Sequence, residues 1–320
     1  MKRRASQGSL FGDPPGGERI GPAEISDELR IMASELPRGL RLGTSSWSFP
    51  GWRGVVFDRE ATEARLAREG LEAYARHPLL RAVGIDRTYY APISEEAFAA
   101  YAAQVPDDFR FLTKAPNAVT APNPGFLDAR LASEIIVEPW RAGLGAKAGP
   151  LLFQFPPLGS RFRKDPASFT GPLGEFLTRL PAGPWYAVEL RDRELLTAEY
   201  AQALLGARAG HCVCVHPRMP APREQVDRVG DPARSGPLVV RWMLGGGLDY
   251  EEARDRYAPF DRLVDEDLDT REQLAELVTE RLRAGMESVV IANNKAEGSA
   301  PWTVFRLAER VAHRLGHRVS

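Results

Sequence analysis

The stretch RLGTSSWSFPGWRGVVF, residues 41–57, marks the start of the predicted fold. It opens as a short apolar strand that ends near Gly43 and turns polar at Thr44. Trp47 and Trp52 follow, interrupted by proline and glycine, which are turn-forming residues. The pattern predicts a strand and, directly after it, a loop that lines a site.

Seven further apolar runs follow, most of them with a helix-like run behind. The predicted strands are residues 40–44, 82–89, 109–114, 150–155, 185–191, 211–216, 238–242 and 288–293. The predicted helices are residues 61–76, 94–104, 127–143, 168–180, 197–207, 270–284 and 302–315. The strands are rich in Val, Ile, Leu and aromatic residues, as is typical of parallel strands buried on both faces. Residues 217–236, rich in Pro, Arg and Asp, are predicted to be mostly loop.

Eight strands that alternate with helices form either an open doubly wound sheet or a closed barrel. A nucleotide-binding open sheet would have a glycine-rich phosphate-binding loop after its first strand. The corresponding stretch here, GTSSWSFPGW, lacks that pattern. We therefore predict an α/β fold with a single domain, a (β/α)8 TIM-type barrel over residues 39–320, which suits the ~250 residues of such barrels.

Residues 1–38 precede the predicted barrel and are rich in glycine and proline. This composition predicts an N-terminal extension that is largely flexible. Within it, residues 24–36 form a candidate short helix with Ser26 as its N-cap.

The overall composition limits the classes of function. Of the 320 residues, 43% are apolar and 27% are charged, and the net charge is −1, so the chain has no global positive field for nucleic acid. Cys212 and Cys214 lie two apart in a strand, roughly 7 Å between Cα atoms, which is too far for a disulfide and predicts reduced core residues in a cytoplasmic protein. No apolar run approaches the ~20 residues that span a bilayer, so no membrane association is predicted.

Polar side chains gather at the predicted carboxyl ends of the strands, the face at which (β/α)8 barrels bind their ligands. They are Thr44, Ser45, Asp86, Lys114, Gln154, Glu189, Arg191, His216, Arg241, Asn293 and Asn294. Each of them alone could mark the point at which a strand leaves the core for water. Together they predict a ligand site at the barrel mouth.

Several motifs resemble those of domain-of-unknown-function family 72, also called the YecE-like family. They are GTSSWSFPGWRG, FRFLTKAP, GPLLFQFPP, AVELR and a pair of asparagines followed by Gly-Ser-Ala-Pro. The resemblance runs from Leu40 to the C-terminus and implies a TIM-type barrel of unassigned activity, sometimes compared with barrels that act on sugars or on abasic sites in DNA. The chain departs from the family pattern at Gly84-Ile85-Asp86, where many members have Glu-Ile-Asn, and at Met243, where members have histidine. Two potential proton carriers or ligands are therefore missing.

Three strand-end residues are candidate catalytic residues. Asp86 and Glu189 could divide acid and base roles if their environments differ. The alternative is that they pair with Arg87, Arg191 or Lys114 and close the top of the barrel. Lys114 is itself a candidate for Schiff-base formation if it is desolvated.

Metal and cofactor binding are restricted by the available ligands. Of the five histidines, only His216 falls at a predicted strand end, so a site with several zinc ions is not expected. A single Mg²⁺ or Mn²⁺ held by Asp86 and Glu189 is compatible with the sequence. No organic cofactor is predicted.

A second set of residues is predicted to bind the substrate: Trp47, Trp52, Tyr89, Gln154, Arg191, Arg241, Asn293 and Asn294. The aromatic rings would stack on a sugar or a nucleobase, the arginines would hold negative charge, and the asparagines would orient the substrate. For the aromatic residues the alternative role is to cap the barrel core.

A phosphate site is predicted between the loops after strands seven and eight, where barrels frequently bind phosphate. Gly245 and Gly246 open the first of these loops, and Gly298 and Ser299 precede the last helix. With Ser299 as N-cap, the free N–H groups and the helix dipole would attract an anion. The alternative is ordinary turn and capping chemistry with the same residues.

Two functions follow from these residues. The first is an enzyme, a hydrolase, lyase or isomerase that acts on a phosphorylated or sugar-containing small molecule at the barrel mouth. The second is a non-catalytic nucleic-acid-binding barrel that uses a basic and aromatic rim. Salt distinguishes them, because affinity for nucleic acid falls steeply with salt concentration.

Overall fold

The computed structural model describes residues 18–234, 236–245 and 247–317. In this part of the chain, parallel strands pair in sequence order and the eighth strand pairs with the first, which closes a barrel. The strands are β1 Leu40–Thr44, β2 Leu80–Ile85, β3 Arg110–Lys114, β4 Ala148–Gln154, β5 Tyr186–Glu189, β6 Gly210–Val215, β7 Leu238–Trp242 and β8 Ser288–Ala292. The predicted (β/α)8 barrel is thereby confirmed.

Helices surround the strands on the outside. They are α1 Asp27–Glu35, α2 Glu63–Ala75, α3 Glu95–Ala102, α4 Asn117–Thr120, α5 Ala129–Ala132, α6 Glu138–Leu144, α7 Ser160–Lys164, α8 Ala167–Arg179, α9 Ala198–Ala207, α10 Pro222–Val229, α11 Asp231–Arg234, α12 Tyr250–Tyr257, α13 Leu268–Arg283 and α14 Ala300–Leu315. The helix predicted over residues 127–143 is interrupted by a π-helical segment, Ser133–Val137, between α5 and α6. Within the described ranges, no helix has both the length and the apolar character to cross a bilayer.

The middle of the barrel is filled by side chains. Because side chains alternate along a strand, every second residue points inward. A buried ring occupies the centre and consists of Ala82, Leu112, Leu152, Ala187, Cys212, Val239, Val289 and Ile291. Since this ring is packed, a ligand has access only to the ends of the barrel, as is usual for the fold.

Residues 18–38 of the extension, which was predicted to be largely flexible, pack against the barrel. The Ala23 N–H donates to the Val56 carbonyl at 2.9 Å. The Gly21 N–H donates to the Asp58 carboxylate at 3.0 Å. The glycine-rich composition indicated flexibility, but these contacts fix the chain before α1. Residues 1–17 of the predicted extension lie outside the described residues.

Helix α1 holds the rest of this segment in place. Ser26 caps it as predicted, since its Oγ accepts a hydrogen bond from Leu29 N at 3.3 Å. Met32 and Leu36 are buried against the barrel. Burial of these side chains offsets the entropy lost when the segment becomes ordered.

The prediction that residues 217–236 are mostly loop is wrong, because α10 and α11 lie there. Helix α10 begins with Pro222, whose fixed φ suits the first helical position. Its residues Val226 and Val229 are buried, so the Pro, Arg and Asp content of the segment concealed a short amphipathic helix.

Candidate active site

Four polar side chains form a second layer inside the barrel, nearer the carboxyl ends of the strands. Each stands two positions after a residue of the central ring and therefore points to the same side of its strand. They are Lys114, Gln154, Glu189 and Arg241, with exposed fractions of 9%, 7%, 0% and 1%. The sequence predicted all four at this end of the barrel.

Arg241 on β7 crosses the barrel and joins two other strands. Its Nη1 atom donates to Glu189 Oε2 at 2.9 Å, and its Nη2 atom donates to Asp86 Oδ2 at 2.7 Å. Burial alone would lower the pKa of Arg241, but the two carboxylates raise it above its ordinary value. The residue is therefore a fixed positive charge at the centre of the site.

Glu189 is completely buried between two arginines. Arg191 Nη2 lies 2.6 Å from its Oε1, and Arg241 holds its other oxygen. Burial alone would raise the pKa of Glu189, but Arg191 and Arg241 outweigh it and bring the pKa to about 2. Arg191 is one of the partners that the sequence analysis named as the alternative to an acid–base role for Glu189.

This geometry favours the pairing alternative over the predicted acid–base pair. A carboxylic acid catalyst needs a pKa near the working pH, whereas Glu189 is ionised over the whole neutral range. Asp86 is tied to Arg241 through Oδ2, although its buried Oδ1 has no hydrogen-bond partner among the described residues. Asp86 Oδ1 is thus the free acceptor of this cluster.

Lys114 has a different environment from the other charged residues of the layer. Its Nζ atom lies 3.7 Å from the centre of the Tyr89 ring, a cation–π contact. Among the described residues, its ammonium group makes no hydrogen bond or ion pair. Burial, reinforced by the charge of Arg241, lowers the pKa of Lys114 from 10.5 to about 8. Lys114 is therefore the proton carrier of this layer whose pKa is nearest to neutral.

A cavity of 520 Å³ opens beside this layer, at the carboxyl ends of β4 to β8. Its charged and polar lining residues are Gln154, Arg191, His216, Arg218, Asp249 and Asn293. Its apolar wall includes Met243, Leu244, Leu248 and Tyr250. Asp249 is engaged as the N-cap of α12, where it accepts from Glu251 N and Glu252 N at 2.9 Å. The cavity thus combines two cationic side chains with an apolar wall.

His216 contributes a neutral imidazole to this cavity. Its Nδ1 atom accepts a hydrogen bond from Arg218 N at 3.1 Å, which assigns the remaining ring proton to Nε2. Burial and the neighbouring Arg191 lower the pKa of His216 to about 4. At neutral pH its Nε2–H is therefore a hydrogen-bond donor without positive charge. The sequence placed His216 at a strand end but did not single it out as a ligand-binding residue.

Two amides complete the polar side of the cavity. The Gln154 side chain has no hydrogen-bond partner in the described part of the chain, and it lines the cavity. Asn293 is oriented by two contacts, because its Nδ2 donates to Ser45 Oγ at 2.9 Å and its Oδ1 accepts from Lys295 N at 3.0 Å. Both residues lie where the sequence analysis expected substrate-binding residues.

The predicted tryptophans do not reach this cavity. Trp52 is 0% exposed and donates its Nε1–H to Asn294 Oδ1 at 3.2 Å. Trp47 is buried and packs edge-on against Tyr101 with 5.3 Å between ring centres. Their role is to cap the barrel core, which was the alternative reading of the aromatic residues.

Asn294 and the residues before α14 have structural roles. Asn294 Oδ1 also accepts from Ala300 N at 2.8 Å, so this side chain, and not that of Ser299, caps the helix. Ser299 and Gly298 are buried, and the Gly298 N–H donates to the Asn294 carbonyl at 2.9 Å. A Cβ on Gly298 would lie 2.6 Å from the Arg262 carbonyl oxygen.

The predicted phosphate site does not fit this arrangement. The Gly245 N–H donates to the Lys295 carbonyl at 3.2 Å, and the Gly298 N–H is also occupied. These amides are therefore not free to bind an anion. Gly246, the other glycine of the predicted site, lies outside the described residues.

A metal ion between the two carboxylates does not fit either. The Arg241 guanidinium group bonds to both Asp86 and Glu189, and so takes the place that a bridging cation would need. Over the described ranges, no three His, Cys, Asp or Glu side chains converge as a metal site would require.

A larger hollow of 730 Å³ lies between α5, α7 and α8, and none of the strand-end polar residues lines it. It is lined by side chains such as Arg130, Arg161 and Phe162. Because ligand sites of barrels lie at the carboxyl ends of the strands, the cavity beside Arg191 is the candidate active site.

Comparison with protein families agrees with this architecture. Residues 41–318 match the family described as "Protein of unknown function DUF72". The chain belongs to this family. The resemblance noted from the sequence motifs is thereby confirmed.

Solved structures of family members share the fold. A DUF72 family protein from Enterococcus faecalis V583 has 18% identity and a TM-score of 0.59, over 85% of this chain and 95% of that chain. A DUF72 family protein from Thermotoga maritima MSB8 has 19% identity and a TM-score of 0.52, over 87% of this chain and 99% of that chain. A D-tagatose 3-epimerase-like protein has 15% identity and a TM-score of 0.50, over 78% of this chain and 95% of that chain. No match to a protein of curated function was found.

Proposed function

We propose that this DUF72 protein is an enzyme, a lyase or isomerase, that acts on a small anionic substrate in the barrel-mouth cavity. The substrate is sugar-containing or phosphorylated. The observation that carries this proposal is the lining of the cavity. It contains two arginines, Arg191 and Arg218, and one carboxylate, Asp249, that already caps a helix. A pocket with this charge balance favours a ligand with negative charge.

Proton transfer suits the residues better than hydrolysis by two carboxylates. Hydrolysis of that kind needs one carboxylic acid with a raised pKa, and the pKa of Glu189 is lowered to about 2. Lys114, with a pKa near 8, is the residue best suited to exchange protons at neutral pH. The neutral His216 supplies a hydrogen bond to an oxygen on which negative charge develops.

Binding of anions tests the first part of this proposal. Isothermal titration would compare glucose 6-phosphate, glycerol 3-phosphate and gluconate with uncharged glucose and glycerol. We expect the anions to bind and Arg218→Gln to weaken them about tenfold or more, because a charge-assisted hydrogen bond is lost. Arg130→Gln is the matched control, since it removes one exposed arginine from the other hollow. Equal effects of the two substitutions, or no binding of any anion, would contradict the proposal.

Hydrogen exchange tests the catalytic part. An isomerase or lyase of this type removes a proton from a carbon beside a carbonyl group, so a bound ketose phosphate should gain deuterium at that carbon in heavy water. Loss of this exchange in Lys114→Met, with binding retained, is the expected result. Exchange that is independent of Lys114 would remove it from the proposed mechanism.

Two exposed tyrosines favour the second candidate, a nucleic-acid-binding barrel. Tyr90 lies on the loop after β2 and Tyr250 is the first residue of α12, which follows β7, and they are 80% and 60% exposed. Such rings can stack on bases, which is worth ~1–3 kcal/mol per base. Fluorescence anisotropy with a single-stranded oligonucleotide distinguishes the nucleic-acid-binding barrel from the enzyme. Tight binding that falls linearly with the logarithm of salt concentration and weakens in Tyr90→Ala would favour this candidate over the enzyme.

A further inference from the structure

Lys114 is the buried charged residue of the site that is least compensated. Only 9% of it is exposed, and its Nζ contacts the Tyr89 ring instead of an oxygen acceptor. A buried ammonium group without an acceptor is costly, so a protein seldom keeps one without a use for it. The Nζ atom of Lys114 is not completely enclosed, so a ligand can touch it.

The neighbours of Lys114 keep its amine reactive. Arg241 and Arg191 add positive charge around it, while Asp86 and Glu189 are already bound to these arginines. A lysine that is desolvated next to another cation loses its proton more easily, and the free amine is the nucleophilic form.

Lys147 and Lys164 differ in this respect. Lys147 Nζ donates to the carbonyls of Ala102 and Val105 at 2.8 and 2.7 Å, on a side of the molecule remote from the strand ends. Lys295 is buried as well, and its Nζ lies 3.9 Å from the centre of the Tyr250 ring, but it stands on the loop after β8 and not inside the barrel. Lys164 is exposed on α7. Of these lysines, Lys114 alone lies in the polar layer inside the barrel.

We propose that Lys114 is a covalent nucleophile that forms an imine with an aldehyde or ketone group of the anionic substrate. This inference rests on the proposed function and specifies its substrate class, a carbonyl compound that also has an acidic group. The acidic group would lie against Arg191 and Arg218 in the cavity. Lys114 does not line this cavity itself, so the carbonyl group would extend inward past the Gln154 side chain, at the end of the adjacent strand β4, to reach it.

The chemistry needs no further reactant. The Nζ lone pair attacks the carbonyl carbon, and the amine proton moves to the carbonyl oxygen to give a carbinolamine. The hydroxyl group then takes the second amine proton and leaves as water, and the C=N bond replaces the C=O bond. The resulting imine, once protonated, draws electrons from the neighbouring carbon, which is the activation that a lyase or isomerase requires.

Reductive trapping tests this proposal directly. The full chain is incubated near neutral pH with pyridoxal 5′-phosphate or with pyruvate, each an anion with a carbonyl group, and is then treated with sodium borohydride. Borohydride reduces an imine to a stable secondary amine, which peptide mass spectrometry locates. The five lysines of the chain are few enough for each to be quantified.

We expect adducts at Lys114 to form about tenfold faster or more than at Lys164, because more of its amine is unprotonated near neutral pH. The rate at Lys114 should rise with pH and level off above about pH 8, the pKa of its amine. Lys114→Arg should abolish the adduct and keep the charge, whereas Lys164→Arg is the matched control and should leave it unchanged.

The outcomes separate this inference from the proposed function. Labelling of Lys114 that is no faster than that of Lys164 in the wild-type protein overturns the inference even if a variant fails to fold. If anions still bind in the cavity in that case, the proposed function stands without the covalent step. If neither anion binding nor trapping is observed, both fail.

Discussion

Glu189 and Asp86 share one guanidinium group, so neither carboxylate can accept a proton without weakening an ion pair to Arg241. Removing one partner of a buried pair typically costs about 3–5 kcal/mol, because the other charge is left uncompensated. These carboxylates are therefore better placed to hold Arg191 and Arg241 in position than to move protons. Lys114 is the better catalytic candidate, because among the described residues its ammonium group has no direct ion-pair partner.

Lys114 should reduce the stability of the folded protein near neutral pH. Burial lowers its pKa from 10.5 to about 8, so below pH 8 the folded state holds a proton at a cost. Between about pH 8 and 10.5 the unfolded chain binds more protons than the folded one, and stability rises with pH in this window. We expect Lys114→Met to raise the free energy of unfolding near pH 7 by about 1–3 kcal/mol. This is a net value, because the substitution also removes the stabilising contact with Tyr89.

Urea unfolding at a series of pH values measures this effect. The difference between Lys114→Met and the wild type should shrink as pH rises through the window and vanish above it. Lys164→Met, at an exposed position on α7, is the control and should show no such trend. A Lys114→Met variant that is less stable than the wild type at pH 7 would show that the ammonium group is compensated.

Among the secondary-structure elements, α10 has a role that its sequence did not reveal. Pairing between β5 and β6 stops at Val188 and His211, and the backbone of Cys214 needs other partners. Gln225 on α10 supplies them, because its Oε1 accepts from Cys214 N at 3.0 Å and its Nε2 donates to the Cys214 carbonyl at 2.8 Å. One side chain thus replaces missing backbone pairing at the strand that leads to His216.

Gln225→Leu should destabilise the protein by about 2–4 kcal/mol, since it leaves the buried N–H and carbonyl of Cys214 without partners. The measurement is urea unfolding of the variant and of Gln202→Leu, an exposed position on α9 that serves as the matched control. Equal stability of the two variants would mean that Gln225 is dispensable.

Elements whose signal is local could be predicted from the sequence. The strands were found because they contain continuous apolar runs such as residues 150–153 and 289–292, and the helix start at Ser26 because a cap is indicated by neighbouring residues. Helix α10 could not be found this way, since the buried residues Gln225, Val226 and Val229 stand among Pro, Arg and Asp. Its stability comes from contacts with β6, which lies earlier in the chain.

At the scale of the whole molecule, the sequence predicted which residues meet at the barrel mouth but not how they pair. Arg241 binds Asp86, 155 positions earlier in the chain, and Asn294 binds the Trp52 indole across 242 positions. Such contacts depend on the closed barrel, so no local pattern separates Asn293, which lines the cavity, from Asn294, which caps α14. For the same reason, the sequence did not show that the Gly245 N–H of the expected phosphate site bonds to the Lys295 carbonyl, 50 positions later in the chain.

Residues 18–38, the segment before the barrel, also contribute buried side chains to the packing of the molecule. Met32 on α1 is buried while its neighbour Ile31 is 58% exposed, although both are large apolar residues. We expect Met32→Ala to lower the free energy of unfolding by about 2–4 kcal/mol, because a buried side chain is lost and a cavity is left. Ile31→Ala, the matched control, should change it by no more than about 0.5 kcal/mol.

Two deletions extend this test to the whole segment. A chain that starts at residue 39 loses the burial of Ile20, Met32 and Leu36 that a chain starting at Glu18 retains. We expect the shorter chain to unfold at lower urea concentration in a single transition, with the two free energies of unfolding differing by about 3–5 kcal/mol. Because the barrel closes through β1 and β8, the shorter chain should keep the far-ultraviolet circular dichroism of the barrel and lose only the small helical contribution of α1. Equal stability of the two chains, together with no effect of Met32→Ala, would show that residues 18–38 lie on the barrel without stabilising it.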